Sequence, residues 1–307
     1  MKSNGKKIVK IIKLGRLHFV FGGFLFFCLG ALFATLMGAK FSLDQFIFGY
    51  AILFAAHISL NYSNDYFDLE SDKYGKPSQF AGGSGILVQN PELKIYAKLI
   101  GIGAMITSIF LAMIFTFIYS FPYSFILFVI SGNLLGWFYA APPIRLSYNG
   151  ASEIATVLTG FIMPGMGYFS IIGTINLPFV IFSIPLMIYQ FLFIIAVQIP
   201  DLEGDKLGNK RTLIVRKGRK TGFKLMLFSA VLGSLSLLLI SVTGWYSKTI
   251  NFFLIFLISI IPLSLAILSY IKRSEDRIEA INLVNRNLSS LFVFAIIINS
   301  YFVYLLL

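Results

Sequence analysis

The chain has 307 residues, 57% of them hydrophobic and only 12% charged, with a formal charge of +12. An ordinary soluble domain is about a quarter charged, so a water-soluble globule is excluded. Apolar runs of about 20 residues, enough to cross ~30 Å of hydrocarbon, recur along nearly the whole chain, and its positive charge follows the connecting segments instead of marking a nucleic-acid surface.

The N-terminal stretch MKSNGKKIVKIIKLGR has the basic character of a signal-peptide flank. The apolar run after it is of span length and eight more follow, so a retained first helix is expected. The predicted spans are 17–36, 46–64, 95–118, 121–139, 152–172, 178–198, 223–244, 251–271 and 284–307. With the N-terminus in the cytoplasm, only Lys40 and Lys248 of the 25 Lys and Arg lie outside, the asymmetry of the positive-inside rule. Cys28, the single cysteine, can form no intrachain disulfide and reads as a packing residue. No soluble domain interrupts the series, so one membrane domain covers 1–307, its longest polar segments, 66–94 and 199–222, both cytoplasmic.

The second span ends in DLESDKYG, 68–75, and the sixth in DLEGDKLG, 201–208. Four spans separate the copies, so both helices run the same way across the membrane. Upstream of the first copy, His57, Asn61, Asn64 and Asp65 continue the pattern to Asp68 and Asp72, and helical periodicity puts these residues on one face if the helix reaches Asp72. The second copy supplies Gln190, Gln198, Asp201 and Asp205 in the same register, and Pro200 should open the helix and free a carbonyl there. Glu70 and Glu203 fall off the aspartate stripe and read as solvated.

Carboxylates gathered at the ends of neighbouring helices repel one another unless a cation separates them. One such end is most simply a solvated surface; two near-identical ones, containing six of only 13 acidic residues, point to a divided site. Hard divalent cations suit oxygen ligands, and Mg²⁺ is characteristically shared between carboxylates and substrate phosphates. The chemistry expected is stabilisation of a diphosphate leaving group. Its cationic half is sought in Lys73 after the first phrase and in Lys210 and Arg211 after the second, while Arg216, Lys217, Arg219 and Lys220 read as charges that set orientation. Between spans 4 and 5, YAAPPIRLSYNGASE brings Arg145, Tyr139 and Tyr148 to the same membrane end, with a Tyr ring able to stabilise a carbocation or simply to sit at the interface. FAGGSG, 80–85, is either a phosphate cradle or a flexible loop; His18 reads as structural. His57 is a functional candidate or a helix–helix hydrogen-bond partner.

Asn64-Asp65-x-x-Asp68-x-x-x-Asp72, followed by YAAPPIRLSYNG and by Asp201-x-x-x-Asp205 with NKRTL, resembles the UbiA superfamily of intramembrane prenyltransferases. The resemblance covers about 14–222 by motif. It implies an all-α membrane protein of about nine transmembrane helices around a central cavity, in a prokaryotic cell membrane. It also implies Mg²⁺-dependent transfer of an isoprenyl group from its diphosphate to an acceptor. By the same resemblance Asn64, Asp65, Asp68, Asp72, Asp201 and Asp205 hold metal and diphosphate; together with the residues read above, Asp65, Asp68, Asp201 and Tyr139 are expected to be catalytic, and Asn64, Lys73, Arg145, Lys210 and Arg211 to bind diphosphate. Two departures stand out: Gln198 replaces an Asn or Asp, and Tyr139 is followed by Arg145 instead of the Lys of a Tyr-x-x-x-Lys pattern. ESDKYGKPSQFAGGSGILV is similar to the menaquinone-type branch, implying an aromatic quinone precursor as acceptor, with glycerol-phosphate lipid, haem or chlorophyll precursors as alternatives. A cation-coupled transporter is the rival of another class, but its ion site would lie near the bilayer midplane, not at one membrane end.

Overall fold

The computed structural model describes every residue except Met1, Pro77, Gln79, Ala81 and Ser247, and omits the side chains of Lys2, Ser3, Asn4 and Lys6. Fourteen α-helices are found among the described residues. A basic amphipathic helix, α1 (Lys2–Leu14), leads through a break at Gly15 and a left-handed Arg16 (φ 44°) into α2 (Leu17–Leu36). Then come α3 (Leu43–Phe67), the short α4 (Leu69–Asp72) and α5 (Ile86–Gln89), α6 (Lys94–Tyr119), α7 (Ser124–Trp137) and α8 (Ser152–Ile172). The second half comprises α9 (Leu177–Leu207), α10 (Leu213–Lys217), α11 (Arg219–Thr243), α12 (Phe252–Ile258), α13 (Ile260–Ile271) and α14 (Arg277–Leu306).

Eight of the described segments are long and apolar enough to cross a membrane, with α12 and α13 counting as one, and α7 is a shorter apolar helix of 14 residues. The chain is therefore a multi-pass membrane protein, its large apolar side chains such as Phe117 and Val242 turned outward where lipid replaces water as the apolar solvent. Helix ends carry their own signals. Ser42 caps α3 by accepting from Gln45 N, Asn176 caps α9 by accepting from Phe179 N at 3.2 Å, and Asp276 caps α14.

Small residues set the closest helix crossings, as they do where lipid offers no hydrophobic drive for association. A Cβ on Gly30 of α2 would collide with the Pro164 carbonyl of α8, and one on Gly167 of α8 with the Phe27 carbonyl of α2. Ser59 of α3 donates to the Gly101 carbonyl of α6 at 2.8 Å. At the end of the bundle opposite the acidic phrases, Phe33 stacks on Phe182 at 4.1 Å and Tyr168 on Phe179 at 4.7 Å, so aromatic packing fills that end.

Two expectations need revision. Helix α9 runs through Pro200 to Leu207 without ending, and the Ile199 and Pro200 carbonyls accept from Arg219 Nε and Arg277 Nε, each at 3.0 Å. Arg219 is buried and also pairs with Glu203, so neither the orientation role expected for the arginine nor the purely solvated role of Glu203 describes them. In the first copy α3 stops at Phe67, but α4 continues the path, with Asp68 N bonded to Asn64 O and Asp72 N to Asp68 O, both at 2.8 Å.

Candidate active site

The two phrases touch directly. A Cβ on Gly204 would lie 2.8 Å from Gly75 Cα, and one on Gly208 would strike the Ser71 side chain. The ends of α3–α4 and α9 therefore approach at backbone distance, and the aspartates they carry open onto one cavity of about 360 Å³. Asp65, Asp68, Asp72, Asp201 and Asp205 all line it, as do Asn64 and Tyr139.

In the first phrase each carboxylate oxygen of Asp68 accepts one hydrogen bond, Oδ1 from the Tyr148 hydroxyl at 2.8 Å and Oδ2 from Lys210 Nζ at 2.9 Å. Asp65 accepts from the hydroxyl and, at 3.4 Å, the backbone N–H of Ser84. Asp72 lies so close to Gly83 that any side chain there would meet its carboxylate. Burial pushes Asp72 up to about 7, opposed by Lys210 and reinforced by Asp68 and Asp65. Asn64 Oδ1 is buried without a hydrogen-bond partner.

In the second phrase Asp201 Oδ2 accepts from Gly82 N at 2.6 Å, and Asp205 stands 3.7 Å from Lys210. Asn209 in the left-handed region (φ 60°) turns the chain so that Lys210 N reaches back to Asp205 O at 2.9 Å and its side chain enters the site. Burial pulls Lys210 down, but Asp68, Asp205 and Asp72 outweigh it and hold the ammonium well above its ordinary value. Lys210 thus bridges the two phrases. Gln198, by contrast, turns its amide nitrogen to Ser152 Oγ at 3.2 Å and Glu153 Oε1 at 2.9 Å, and leaves Oε1 unpartnered. Buried Glu153 also accepts from Leu213 N at 2.6 Å, anchoring the segment that carries Lys210.

The other sequence-selected cations divide. Lys73 is exposed and pairs with Glu70 at 2.7 Å, and Arg211 is exposed; neither lines the cavity. Arg145, itself left-handed (φ 46°), lays its guanidinium 3.7 Å from the centre of the Tyr148 ring and so acts on Asp68 through that tyrosine. Burial, with Asp68 second, raises the Tyr148 hydroxyl to about 12, keeping it a donor. Sequence reasoning passed over Arg16, which lines the cavity and donates to the Gly82 carbonyl. Its one sequence signal is the basic residue after Gly15 at the mouth of the first span. Of the 80–85 segment considered as a phosphate cradle, Gly82 N–H goes to Asp201 and Ser84 N–H to Asp65 instead; Ala81 of that stretch lies outside the described residues.

Among the described residues no three His, Cys, Asp or Glu side chains gather closely enough to hold a metal ion by themselves. Five aspartates nonetheless line the cavity against two cations, Arg16 and Lys210. That deficit, the orphaned Asn64 oxygen and an all-oxygen donor set fit a hard divalent ion whose remaining ligands come from a bound phosphate. Beyond the charged mouth one side of the cavity is apolar, with Leu25, Phe26 and Leu29 from α2 and Phe294, Ala295 and Ile298 from α14. The arrangement suits an amphiphile with an anionic head and a hydrocarbon tail.

The profile of the UbiA prenyltransferase family matches residues 24–291. Among solved structures, a UbiA homolog from Archaeoglobus fulgidus bound to GPP and Mg²⁺ superposes with a TM-score of 0.71 at 16% identity, covering 96% of this chain and 99% of that one. A UbiA homolog from Aeropyrum pernix K1 gives 0.67 at 14% identity, covering 92% and 98%. A structure described as digeranylgeranylglyceryl phosphate synthase gives 0.60 at 19% identity, covering 95% and 99%. No curated protein sequence matches.

Proposed function

Because the chain belongs to the UbiA prenyltransferase family, we propose that it transfers an isoprenyl group from an isoprenyl diphosphate to an aromatic quinone precursor of the 1,4-dihydroxy-2-naphthoate type, with Mg²⁺ as cofactor. The observation that carries this reading is Lys210, which ties Asp68 of one phrase to Asp205 of the other at the mouth of an apolar cavity. GPP and DMAPP, each with Mg²⁺, are bound by the A. fulgidus homolog, which supports the same pairing here.

Asn64, Asp65, Asp68, Asp72, Asp201 and Asp205 would hold the ions, which stabilise negative charge on a departing diphosphate. Lys210 and Arg16 add fixed positive charge beside the same oxygens, and Tyr148, held by Arg145, orients Asp68. The apolar walls take the isoprenoid tail and keep water from the allylic carbon as the C–O bond breaks, its electron pair leaving with the diphosphate. The Tyr139 ring at the cavity mouth supplies π-density to the cation. An electron-rich ring carbon of the acceptor then forms the new C–C bond and loses its proton. The basic N-terminal helix and connecting segments favour a cytoplasmic N-terminus and a site opening to that face of a prokaryotic cell membrane.

The quinone-type acceptor rests on the likeness of residues 70–88 to the menaquinone-type branch. The test is a panel of acceptors, including 1,4-dihydroxy-2-naphthoate and a glycerol-phosphate lipid, incubated with one labelled isoprenyl diphosphate and Mg²⁺ and read by mass detection. Prenylated naphthoate is expected; product from the glycerol-phosphate lipid alone overturns the acceptor. Asp68→Asn and Asp201→Asn should each abolish transfer in a folded, inserted protein, and full activity in both sinks the site.

A further inference from the structure

Two turns below the aspartates the cavity wall changes character. Gly136 of α7 faces Leu60 of α3, 3.5 Å from its ideal Cβ position, and the two helices run in the same direction. Three residues back from each, Asn133 and His57 therefore stand at one level, about 12 Å below Asp65 at 1.5 Å per residue. Both line the cavity and both are buried, at 4% and 7% exposure. Asn133 is firmly set: its Nδ2 donates to Ser108 Oγ at 3.0 Å and to Val129 O at 2.9 Å, while Ser108 Oγ donates in turn to Ile52 O at 3.0 Å. Its Oδ1 has no partner. His57, packed against Gly23, makes no hydrogen bond among the described residues.

Thr156 and Thr159 of α8, which also line the cavity, are satisfied within their own helix, by Ser152 O and Thr156 O. The orphan at Asn133 is an acceptor held in place by its own donors, so it calls for a ligand that brings an O–H or N–H. An isoprenoid tail has neither, and an ionised diphosphate has no proton to give. The tail also has an apolar wall of its own on α2 and α14. Building on the prenyl-transfer reading, we infer that Asn133 Oδ1, at the level of His57 in the cavity, accepts a hydrogen bond from the ring hydroxyl of the acceptor lying farther from the diphosphate. The subsite divides the cavity into an apolar side for the donor's tail and a polar α3/α7 side that selects hydroxylated aromatic rings. Asn133 is a specificity-determining residue, not a group that takes part in bond making.

The test uses the full chain in detergent micelles, saturated with Mg²⁺ and geranyl thiolodiphosphate, a slowly ionising analogue. Binding of 1,4-dihydroxy-2-naphthoate and its two mono-O-methyl ethers is measured by calorimetry. One ether is expected to bind the wild-type protein about tenfold or more weaker than the diol, the scale of an unmade bond to a buried acceptor. Asn133→Leu should weaken the diol by a similar factor, weaken that ether no further, and leave thiolodiphosphate affinity within about twofold. Ser108→Ala, which removes one anchor of the amide, should weaken the diol by roughly threefold. Equal binding of the diol and both ethers to the wild type, or no diol binding while the thiolodiphosphate still binds, overturns the inference. Loss of Mg²⁺-dependent thiolodiphosphate binding would instead strike at the prenyl-transfer reading itself.

Discussion

Lys73 directly follows Asp72 in its phrase and Lys210 stands five residues beyond Asp205, yet only the more distant lysine reaches the site. Sequence distance counts residues, whereas direction depends on the left-handed turn at Asn209, which aims Lys210 inward, and on Glu70, which holds Lys73 in solvent. Replacing Lys210 by Met should lower kcat/KM for isoprenyl diphosphate on the order of 10²–10³-fold, the usual scale for removing one preorganised charge beside a leaving group. Steady-state transfer with a labelled donor checks it. Lys73→Ala and Arg211→Ala should stay within roughly threefold of the parent in the same assay, because exposed charges in water contribute little. The aspartates were legible because two copies of an acidic phrase have no ordinary reason to occur in so apolar a chain. Arg16 was not, since nothing in the sequence ties it to Gly82, 66 residues on.

Helices reflect the same division between local and long-range causes. The predicted spans correspond to helices that the chain forms, because a 20-residue apolar window states its own length and environment. The crossings were hidden, being written in single glycines whose partners lie on other helices. Gly167→Leu should force α2 and α8 apart and cost about 1–3 kcal/mol or more, seen as a lower midpoint of thermal unfolding in detergent. Pro200 illustrates the converse. Taken alone it predicts an opened helix, but α9 continues to Leu207, with Arg219 and Arg277 bound to the adjacent carbonyls.

At the scale of the whole molecule the aspartates form two walls, not a closed cage, and this sets how ligands should couple. With no carboxylate trio able to hold an ion unaided among the described residues, Mg²⁺ alone and isoprenyl diphosphate alone should each shift thermal unfolding little. Both together should stabilise by about 2.7 kcal/mol at a hundredfold excess over Kd, and excess chelator should reverse it; a full shift from Mg²⁺ alone would contradict the divided site. The contact between the phrases carries a last consequence, for how the chain can change over time. Ser71 in the first copy corresponds to Gly204 in the second, and Gly204 lies against the Gly75 backbone while Ser71 fills the space beside Gly208. The copies are complementary at these positions, so drift toward a perfect repeat is barred: a serine at 204 would wedge the two halves apart. Each half restricts the substitutions open to the other, and the mismatch within the repeat is part of what the pair must inherit together.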